Sequence, residues 1–289
     1  MVHLVVVHRN RGAVCAATVG RFLLQDDLTV TVVDNGSSVT EIEQLRSGLR
    51  QLGEPINPRI TIVETGRNLG FGPGANVGLK RWLSGEDGDP ASDICLLGPH
   101  DVRPGPGVVH SIVEGLEDHP EAGLACADVG DGRSPMIQPW LGPIGRPPAV
   151  NSGWEEVDYP HGTLMGLRRS CLELVGLFDE RYFAYCEEAD LGIRVRNAGW
   201  TVGLLRGSLV QNPESSSAAA VIDYLMVRNT LLLLRTHFGI RNMLFRIGVV
   251  AAEHVVGWWR PAVRGPYHSG RARSRAVCDA LLGRYGPWD

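Results

Sequence analysis

Residues 2–34, VHLVVVHRNRGAVCAATVGRFLLQDDLTVTVVD, contain the pattern that decides the fold. Val2–Val7 and Thr29–Val33 are short runs rich in apolar and β-branched residues, which is typical of buried parallel strands. Between them, Cys15 and Val19 begin a series of apolar residues at helical spacing. A strand, a helix and a second strand in this order predict a βαβ unit with parallel strands.

The alternation of strands and helices continues along the chain. Ser38-Val-Thr-Glu41 has the form of a capping box that begins an amphipathic helix, and later helical patterns end near Trp82 and Asn197. Further strands are expected at Arg59–Val63, Ile94–Leu97, Gly123–Cys126, Gly162–Leu167 and Thr201–Leu205. This order predicts an α/β fold, with a Rossmann-like, mostly parallel sheet and helices on both faces.

Two segments lack the alternating pattern. Asp128–Tyr159 is rich in Gly and Pro and has no periodicity, which predicts a long loop. Gly207–Ser217 is punctuated by Gly, Pro and Ser, which indicates a boundary. The expected units are residues 1–212, with halves at 1–104 and 105–212, and a helical C-terminal extension at 213–289.

The composition is that of an ordinary globular protein. Of 289 residues, 44% are apolar and 21% are charged, which argues against long disorder. The six cysteines are scattered without a C-x-x-C pair, which disfavours a zinc site or a disulfide framework and favours a reducing cytosol. We expect no signal peptide and no spanning helix, since no apolar run reaches about 18 residues. The protein is therefore expected to be cytoplasmic, either soluble or peripheral at the membrane.

The C-terminal part of the chain is basic. From Val221 onward there are ten arginines and four acidic residues, although the whole chain has a net charge of −4. Such a tail favours an anionic surface, lipid or nucleic acid, or is a solvated helix face. His254-Val-Val-Gly-Trp-Trp-Arg260 has the composition of a membrane-surface segment. Alternatively, Leu231–Leu234 and Met243–Val256 pack on the main domain or form a dimer interface, and packing is favoured for the first.

Carboxylates follow three of the predicted strands. Asp34 and Asp101 come directly after the second and fourth strands, where a doubly wound sheet binds ligands. Glu187, Glu188 and Asp190 follow the aromatic run that begins at residue 182 and precede a helix. Each group has a structural alternative: Asp34 and Asp101 suit turns, and the three acids suit a helix N-terminus. Together they predict a site with a base and a cation- or nucleotide-binding acid.

Six ordered motifs between Leu4 and about Asn212 resemble the inverting family-2 glycosyltransferases of the GT-A fold, particularly bacterial members that include rhamnosyltransferases. The motifs are Val5-Val-Val-His-Arg-Asn10, Val33-Asp-Asn-Gly-Ser-Ser38, Asn68-Leu-Gly-Phe-Gly-Pro-Gly-Ala-Asn76, Leu97-Gly-Pro-His-Asp-Val-Arg-Pro104, Gly162-Thr-Leu-Met-Gly-Leu-Arg-Arg169 and Gly176-Leu-Phe-Asp-Glu-Arg-Tyr-Phe-Ala-Tyr-Cys-Glu-Glu-Ala-Asp-Leu191. The resemblance implies transfer of a sugar from a nucleotide sugar, dTDP-rhamnose or a UDP-sugar, in cell-wall or polysaccharide biosynthesis. The implied acceptor is a hydroxyl of a glycan or a polyprenyl-linked glycolipid, with no nucleic-acid partner.

The resemblance also assigns roles to residues. Residues 1–104 become the nucleotide-sugar half and residues 105–212 the acceptor half. Glu188 stands at the position of the catalytic base, with Glu187 as the neighbouring alternative and Asp190 completing the cluster. The donor-binding residues are His8, Asp34, Asn68, Gly70 and Asp101. The candidate ligands for Mg²⁺ or Mn²⁺ are Asp101 and His100.

Two departures from the family pattern leave metal dependence open. The metal motif, usually Asn-Pro-Asp or Asp-x-Asp, is Gly98-Pro-His-Asp101 here, and Gln211-Asn212 replaces a His expected after the last strand. The alternative function is therefore a catalytically degenerate nucleotide-binding paralogue that acts as a scaffold. A nucleotidyltransferase is disfavoured because Arg9-Asn-Arg-Gly12 is a poor phosphate loop. A nicotinamide enzyme is disfavoured because the G-x-G-x-x-A match at Gly70–Ala75 follows the third strand rather than the first.

Overall fold

The computed structural model describes residues 1–53, 56–211 and 217–288. Its strands are β1 (Val2–His8), β2 (Leu28–Asp34), β3 (Ile60–Glu64), β4 (Ile94–Pro99), β5 (Arg103–Pro104), β6 (Ala122–Asp128), β7 (Ser134–Gln138), β8 (Gly142–Arg146), β9 (Gly153–Glu156), β10 (Met165–Arg168) and β11 (Thr201–Gln211). Its helices are α1 (Gly12–Gln25), α2 (Val39–Arg50), α3 (Phe71–Ser84), α4 (Val108–Asp118), α5 (Arg169–Val175), α6 (Glu187–Asn197), α7 (Ala219–His237), α8 (Ile240–Trp259) and α9 (Gly270–Leu281), with a 3₁₀ turn at Pro261–Val263.

A mixed sheet runs through the centre of the molecule in the order β3-β2-β1-β4-β10-β6-β11-β5, and β9 also pairs with β11. Strands β1 to β4 are parallel to one another, and β6 is parallel to β11. Strand β10 is antiparallel to both of its neighbours, β4 and β6, and so joins the two parallel halves. The α/β fold and every strand predicted from the sequence are confirmed.

Helices cover both faces of the sheet, as predicted. In β1, Leu4 and Val6 pack with residues of α1, α2 and α4 on one face. Val5 and Val7 pack on the other face with residues of α3, α5 and α6. All four side chains are buried, and burial of each stabilises the fold by roughly 1.5–3 kcal/mol. A sheet buried on both faces explains why its strands read as continuous apolar runs.

The long loop predicted at Asp128–Tyr159 is wrong. Strands β7 and β8 pair as an antiparallel hairpin, with Ser134 opposite Arg146, and β9 pairs with β11. The prediction failed because prolines suggested irregular structure. In a two-stranded ribbon each strand has a free edge, which accommodates Pro135 and Pro143 without loss of a ladder hydrogen bond.

The C-terminal helices differ in burial. Leu231–Leu234 of α7 are buried, and Leu232 and Leu233 pack against Tyr182 and Ala189, so the packing favoured for this helix is confirmed. Helix α8 exposes many apolar side chains to solvent. Within the described residues, none of the helices has the length and hydropathy needed to cross a bilayer. The boundary expected after Asn212 lies outside the described residues and stays a prediction.

Candidate active site

The loop after β1 is held in a strained conformation. Asn10 and Arg11 both have positive φ, 53° and 59°, which non-glycine residues adopt only when their surroundings hold them there. The backbone N–H of Asn10 donates to Ser37 Oγ at 2.7 Å, and Asn10 Oδ1 accepts from the backbone N–H of Ser38 at 3.2 Å. The loop after β1 is thereby fixed to the loop after β2.

This backbone conformation carries the Arg11 guanidinium to Asp101. Arg11 Nη1 donates to Asp101 Oδ2 at 3.2 Å, with Arg11 partly exposed and Asp101 mostly covered. Next to Arg11, the backbone N–H of Gly12 donates to Glu41 Oε2 at 2.6 Å. The capping box predicted at the start of α2 is therefore only half formed. Ser38 caps the helix, but the Glu41 side chain caps α1 instead.

A buried histidine–carboxylate pair lies at the ends of β1 and β2. His8 Nδ1 lies 3.0 Å from Asp34 Oδ1, and both side chains are almost fully buried. Burial alone would raise the pKa of Asp34, but hydrogen bonds from His8 and Ser37 outweigh it and hold that pKa below its ordinary value. Because Asp34 is ionised, His8 Nδ1 is the donor in this pair.

His100 brings the end of β4 to the same place. Its ring meets the His8 ring edge-on, with 5.5 Å between centroids, and its backbone N–H donates to the Val7 carbonyl at 3.1 Å. Burial lowers the pKa of His100, against the opposing charge of Asp101, so its imidazole is neutral at pH 7. The Nε2 atoms of His8 and His100 are buried and have no hydrogen-bond partner among the described residues.

Asp101 and His100 alone offer too few ligand atoms for a metal ion. Within residues 1–53, 56–211 and 217–288, no three His, Cys, Asp or Glu side chains are grouped so that they could hold a metal ion. One carboxylate and one imidazole would supply only part of the coordination of a divalent cation, and substrate phosphate oxygens would have to supply the rest, as at many Mg²⁺ sites. Arg11 already supplies one positive charge to Asp101.

Asn35 organises the loop that precedes α3. Its Oδ1 accepts from the backbone N–H of Leu69 at 2.9 Å, and its Nδ2 donates to the Gly70 carbonyl at 2.7 Å. Asn68 Oδ1 then accepts from the backbone N–H of Gly70 at 3.1 Å. Residues 68–70 are thus fixed beside the end of β2, next to Asp34. Asn35 was not among the residues predicted for the site, because its only signal in the sequence is a short amide side chain directly after a strand.

The same loop touches the aromatic run before α6. The backbone N–H of Phe71 donates to the Phe183 carbonyl at 2.6 Å. Gly70 has φ +100°, and a Cβ there would lie 2.2 Å from the Phe183 oxygen, so only glycine fits. A Cβ at Gly72 would lie 3.5 Å from the Glu187 side chain. The 68–72 segment therefore lies between the loop after β2 and the acidic cluster.

Glu187 and Glu188 occupy different environments although they are consecutive. Glu187 is buried, and its Oε2 has no hydrogen-bond partner among the described residues. Burial, reinforced by the charge of Glu188, raises the pKa of Glu187 well above its ordinary value. Glu188 is partly exposed, and burial raises its pKa to about 7. Burial is thus the main cause of the raised pKa at both carboxyls.

Glu188 lies directly on the backbone of Gly162. A Cβ built at Gly162 would lie 1.9 Å from Glu188 Oε1, so a larger residue there would displace the carboxyl group. The chain continues from Gly162 through Thr163, whose carbonyl lies 3.1 Å from the Cβ position of Gly98 at the end of β4. Glu188 therefore packs on a chain segment that runs beside the end of β4, the strand that His100 and Asp101 follow.

Asp190 is engaged in a different way from its two neighbours. Its Oδ1 lies 2.7 Å from His237 Nε2 and 3.4 Å from the Tyr182 hydroxyl. Its Oδ2 accepts from Arg194 Nε at 2.8 Å. A buried carboxylate with three partners joins α6 to α7 and to the aromatic run. The side chains predicted for the site thus form two groups joined by residues 68–72, and Asp190 faces away towards α7.

No protein-family model matches the chain. The chain is similar to the N-acetylglucosaminyl-diphospho-decaprenol L-rhamnosyltransferase of two Mycobacterium tuberculosis strains, with 29% identity over 199 residues, covering 60% of this chain and 62% of the relative. It therefore spans about three-fifths of the length of the curated relatives it matches.

Two solved structures share the fold over nearly the whole chain. One is the mannosyltransferase PcManGT from Pyrobaculum calidifontis with GDP-Man and Mn²⁺, with a TM-score of 0.60 at 13% identity, covering 98% of this chain and 86% of that one. The other is GalNAc-T7 with UDP, GalNAc and Mn²⁺, with a TM-score of 0.66 at 10% identity, covering 98% and 56%. The chain therefore has the GT-A glycosyltransferase fold, and its sequence is similar to that of a rhamnosyltransferase, as its motifs indicated.

Proposed function

We propose that this chain is an inverting, family-2-type glycosyltransferase that moves a sugar from a nucleotide sugar, dTDP-rhamnose or a UDP-sugar, to a hydroxyl group of a glycolipid or glycan. The observation that carries the proposal is Glu188, a partly exposed carboxyl with a pKa of about 7 that packs on the backbone of Gly162. The likeness to a rhamnosyltransferase that acts on a decaprenol-linked sugar supports the choice of donor and acceptor.

Glu188 acts as the general base in the proposed reaction. Its carboxylate accepts the proton of the acceptor hydroxyl while that oxygen attacks the anomeric carbon. The bond from the anomeric carbon to the nucleoside diphosphate breaks on the opposite face, and the diphosphate leaves with the electron pair. A base with a pKa near the working pH is both ionised and basic enough to act. Glu187 is too buried to reach an acceptor, and Asp190 holds α6 in position through its three partners.

The donor nucleotide is proposed to lie over the ends of β1, β2 and β4. Asn68 and the backbone of residues 68–70 line the donor, and the His8–Asp34 pair forms the floor beneath the base or ribose. Arg11 is partly exposed beside Asp101 and supplies positive charge to the diphosphate. Asp101, with His100, would hold a Mg²⁺ or Mn²⁺ ion together with the diphosphate oxygens. Such an ion stabilises negative charge on the leaving group.

The exposed face of α8 is proposed to rest on an anionic membrane at the inner leaflet, near a polyprenyl-linked acceptor. Trp258 and Trp259 are 70% and 74% exposed, and Leu244, Phe245 and Val255 are each more than half exposed. Exposed arginines flank this helix, so aromatic rings at the headgroup level are paired with cations that attract anionic lipid. The alternative is that a second copy of the chain covers the same face in a homodimer.

Ligand binding followed by turnover tests the function. Calorimetry with dTDP and UDP, with and without Mn²⁺, identifies the nucleotide, and release of nucleoside diphosphate from donor in the presence of a polyprenyl-diphosphate acceptor measures transfer. Binding with turnover, lost in Glu188→Gln while nucleotide binding persists, is the expected result. Binding without turnover across a broad panel of donors and acceptors would favour the scaffold alternative. Undiminished turnover in Glu188→Gln would refute the base assignment.

A further inference from the structure

The segment that leads into the acidic cluster has an unfavourable backbone conformation. Phe183, Tyr185 and Cys186 have φ values of 63°, 69° and 71°. None of them is glycine, and such conformations persist only where surrounding contacts hold them. Cys186 is also the residue at the N-terminal cap of α6, with no side-chain cap hydrogen bond. The direction in which α6 begins, and so the position of Glu188 in its first turn, depends on this segment.

Asn229, near the middle of α7, provides the contacts that hold the segment. Its Nδ2 lies 2.7 Å from the Tyr182 carbonyl, 2.7 Å from the Ala184 carbonyl and 2.8 Å from the Tyr185 carbonyl. Its two amide hydrogens are therefore shared among three backbone oxygens. Asn229 is fully buried, so water does not replace these bonds. The carbonyls of Tyr182, Ala184 and Tyr185 all lie against Asn229, whereas the Phe183 carbonyl accepts from the Phe71 N–H.

The neighbouring Arg228 fixes the orientation of this amide. Arg228 Nε donates to Asn229 Oδ1 at 3.0 Å, which leaves Nδ2 facing the segment. Arg228 is itself buried, and it donates to the Gly286 carbonyl at 2.6 Å and to the Tyr182 carbonyl at 3.3 Å. The Asn229 side-chain oxygen therefore accepts from Arg228, and its nitrogen donates to backbone carbonyls of the segment.

We infer that Asn229 is a positioning residue for the catalytic base: its amide holds residues 182–186 in the conformation that starts α6 and sets Glu188 against Gly162. The inference rests on the proposed function for its consequence in catalysis. It extends that function by making the C-terminal helix α7 part of the machinery of the active site. His237 on the same helix pairs with Asp190 of α6, so α7 contacts both residues 182–186 and the helix that follows them.

Two variants of Asn229 test the inference. Asn229→Asp has the same shape but no N–H donors, and Asn229→Ala removes the group without adding charge. Both are expected to lower kcat by about 10–100-fold, since small misplacements of catalytic groups have effects of that order, while the affinity for the nucleotide stays within about twofold. Both are also expected to speed backbone hydrogen exchange at residues 183–188.

Asp223→Asn is the matched control. Asp223 is a buried residue on the same helix, and it accepts from the backbone N–H of Ser269 at 2.7 Å and pairs with Arg273 on α9. Its loss weakens the packing of α7 without touching residues 182–186. The expected result is a lower melting temperature, an unchanged kcat and unchanged exchange at residues 183–188.

The outcomes separate this inference from the proposed function. Wild-type exchange at residues 183–188 in both Asn229 variants would overturn the inference whether or not the protein is an enzyme. A kcat that falls equally in Asp223→Asn would also overturn it, because general loosening of α7 would then account for the effect. A wild-type protein that binds nucleotide but never transfers sugar would instead defeat the proposed function. The hydrogen-exchange result would still decide whether Asn229 holds residues 182–186 in position.

Discussion

Replacement of Glu188 by Gln is expected to stabilise the protein as well as inactivate it. The pKa of this carboxyl is raised by burial from 4.5 to about 7. Because the folded protein holds the proton more tightly than the unfolded chain, stability falls as the pH rises from about 4.5 to about 7. At roughly 1.4 kcal/mol for each tenfold change in proton affinity, ionised Glu188 lowers the free energy of unfolding by about 3 kcal/mol above pH 7.

Glutamine has the same shape and never ionises, so the loss of stability disappears in Glu188→Gln. Urea unfolding followed by tryptophan fluorescence at pH 5, 6, 7 and 8 measures the effect as the difference between the two proteins. The difference in the free energy of unfolding is expected to grow with pH to about 3 kcal/mol. At each of these pH values, the rate of sugar transfer by Glu188→Gln is expected to be roughly 10²–10⁴-fold below that of the wild type.

Glu187→Gln tests the same linkage at the neighbouring carboxyl. Burial raises the pKa of Glu187 well above its ordinary value, so at this position too stability falls as the pH rises past the pKa of the unfolded chain. Its amide variant should therefore also gain stability over the wild type as the pH rises. A Glu188→Gln stability curve that ran parallel to the wild-type curve from pH 5 to pH 8 would refute the reasoning, because it would mean that Glu188 ionises at its ordinary pKa.

Three further predictions concern the donor site, the support of the base and the membrane face. Asp101→Ala should weaken binding of the nucleoside diphosphate about tenfold and abolish any stimulation by Mn²⁺; calorimetry measures both, and an unchanged affinity would contradict the role. Gly162→Ala places a Cβ 1.9 Å from Glu188 Oε1 and should lower kcat about 100-fold. The control is Gly248→Ala, where a Cβ has open space around it, and its kcat should be unchanged. Equal kcat values in the two variants would contradict the packing argument. Serine at both positions of Trp258–Trp259 should abolish co-sedimentation with anionic vesicles but not turnover of a soluble acceptor, and vesicle binding that survives would favour a dimer interface, which sedimentation velocity would detect.

The sequence predicted the fold well because the signals of the fold are local. Apolar runs such as Val2–Val7 and helical spacing after Cys15 depend only on neighbouring residues, and the sheet buries both of its faces. The hairpin of β7 and β8 was missed because its two strands do not alternate and contain Pro135 and Pro143. Its stability comes from pairing across the hairpin, which composition does not show.

The candidate site was only partly predictable because its supporting contacts join distant parts of the chain. Arg11 reaches Asp101 across 90 positions, and it does so through a left-handed backbone conformation that Arg gives no sign of adopting. Asn229 reaches the Tyr182 carbonyl across 47 positions. It does so from a helix whose sequence predicted only that it packs on the main domain. Acidic clusters and strand ends identify candidate reactive groups in a sequence, but the groups that hold them in position are set by the packing of elements.

The arrangement of α6 decides which of two adjacent acids can serve as the base. Consecutive residues on a helix point about 100° apart, so Glu187 turns towards Gly72 and the core while Glu188 turns towards Gly162 and remains partly exposed. The two contact positions differ. A Cβ at Gly72 would lie 3.5 Å from the Glu187 side chain, an ordinary contact distance, whereas a Cβ at Gly162 would lie 1.9 Å from Glu188 Oε1. The missing side chain at Gly162 therefore leaves room for a carboxyl group that must also reach a substrate. Burial raises the pKa of Glu187 well above its ordinary value, which favours its neutral form and so reduces the negative charge beside Glu188. The less buried Glu188 has a pKa of about 7 and is the acid of the two that can serve as the base.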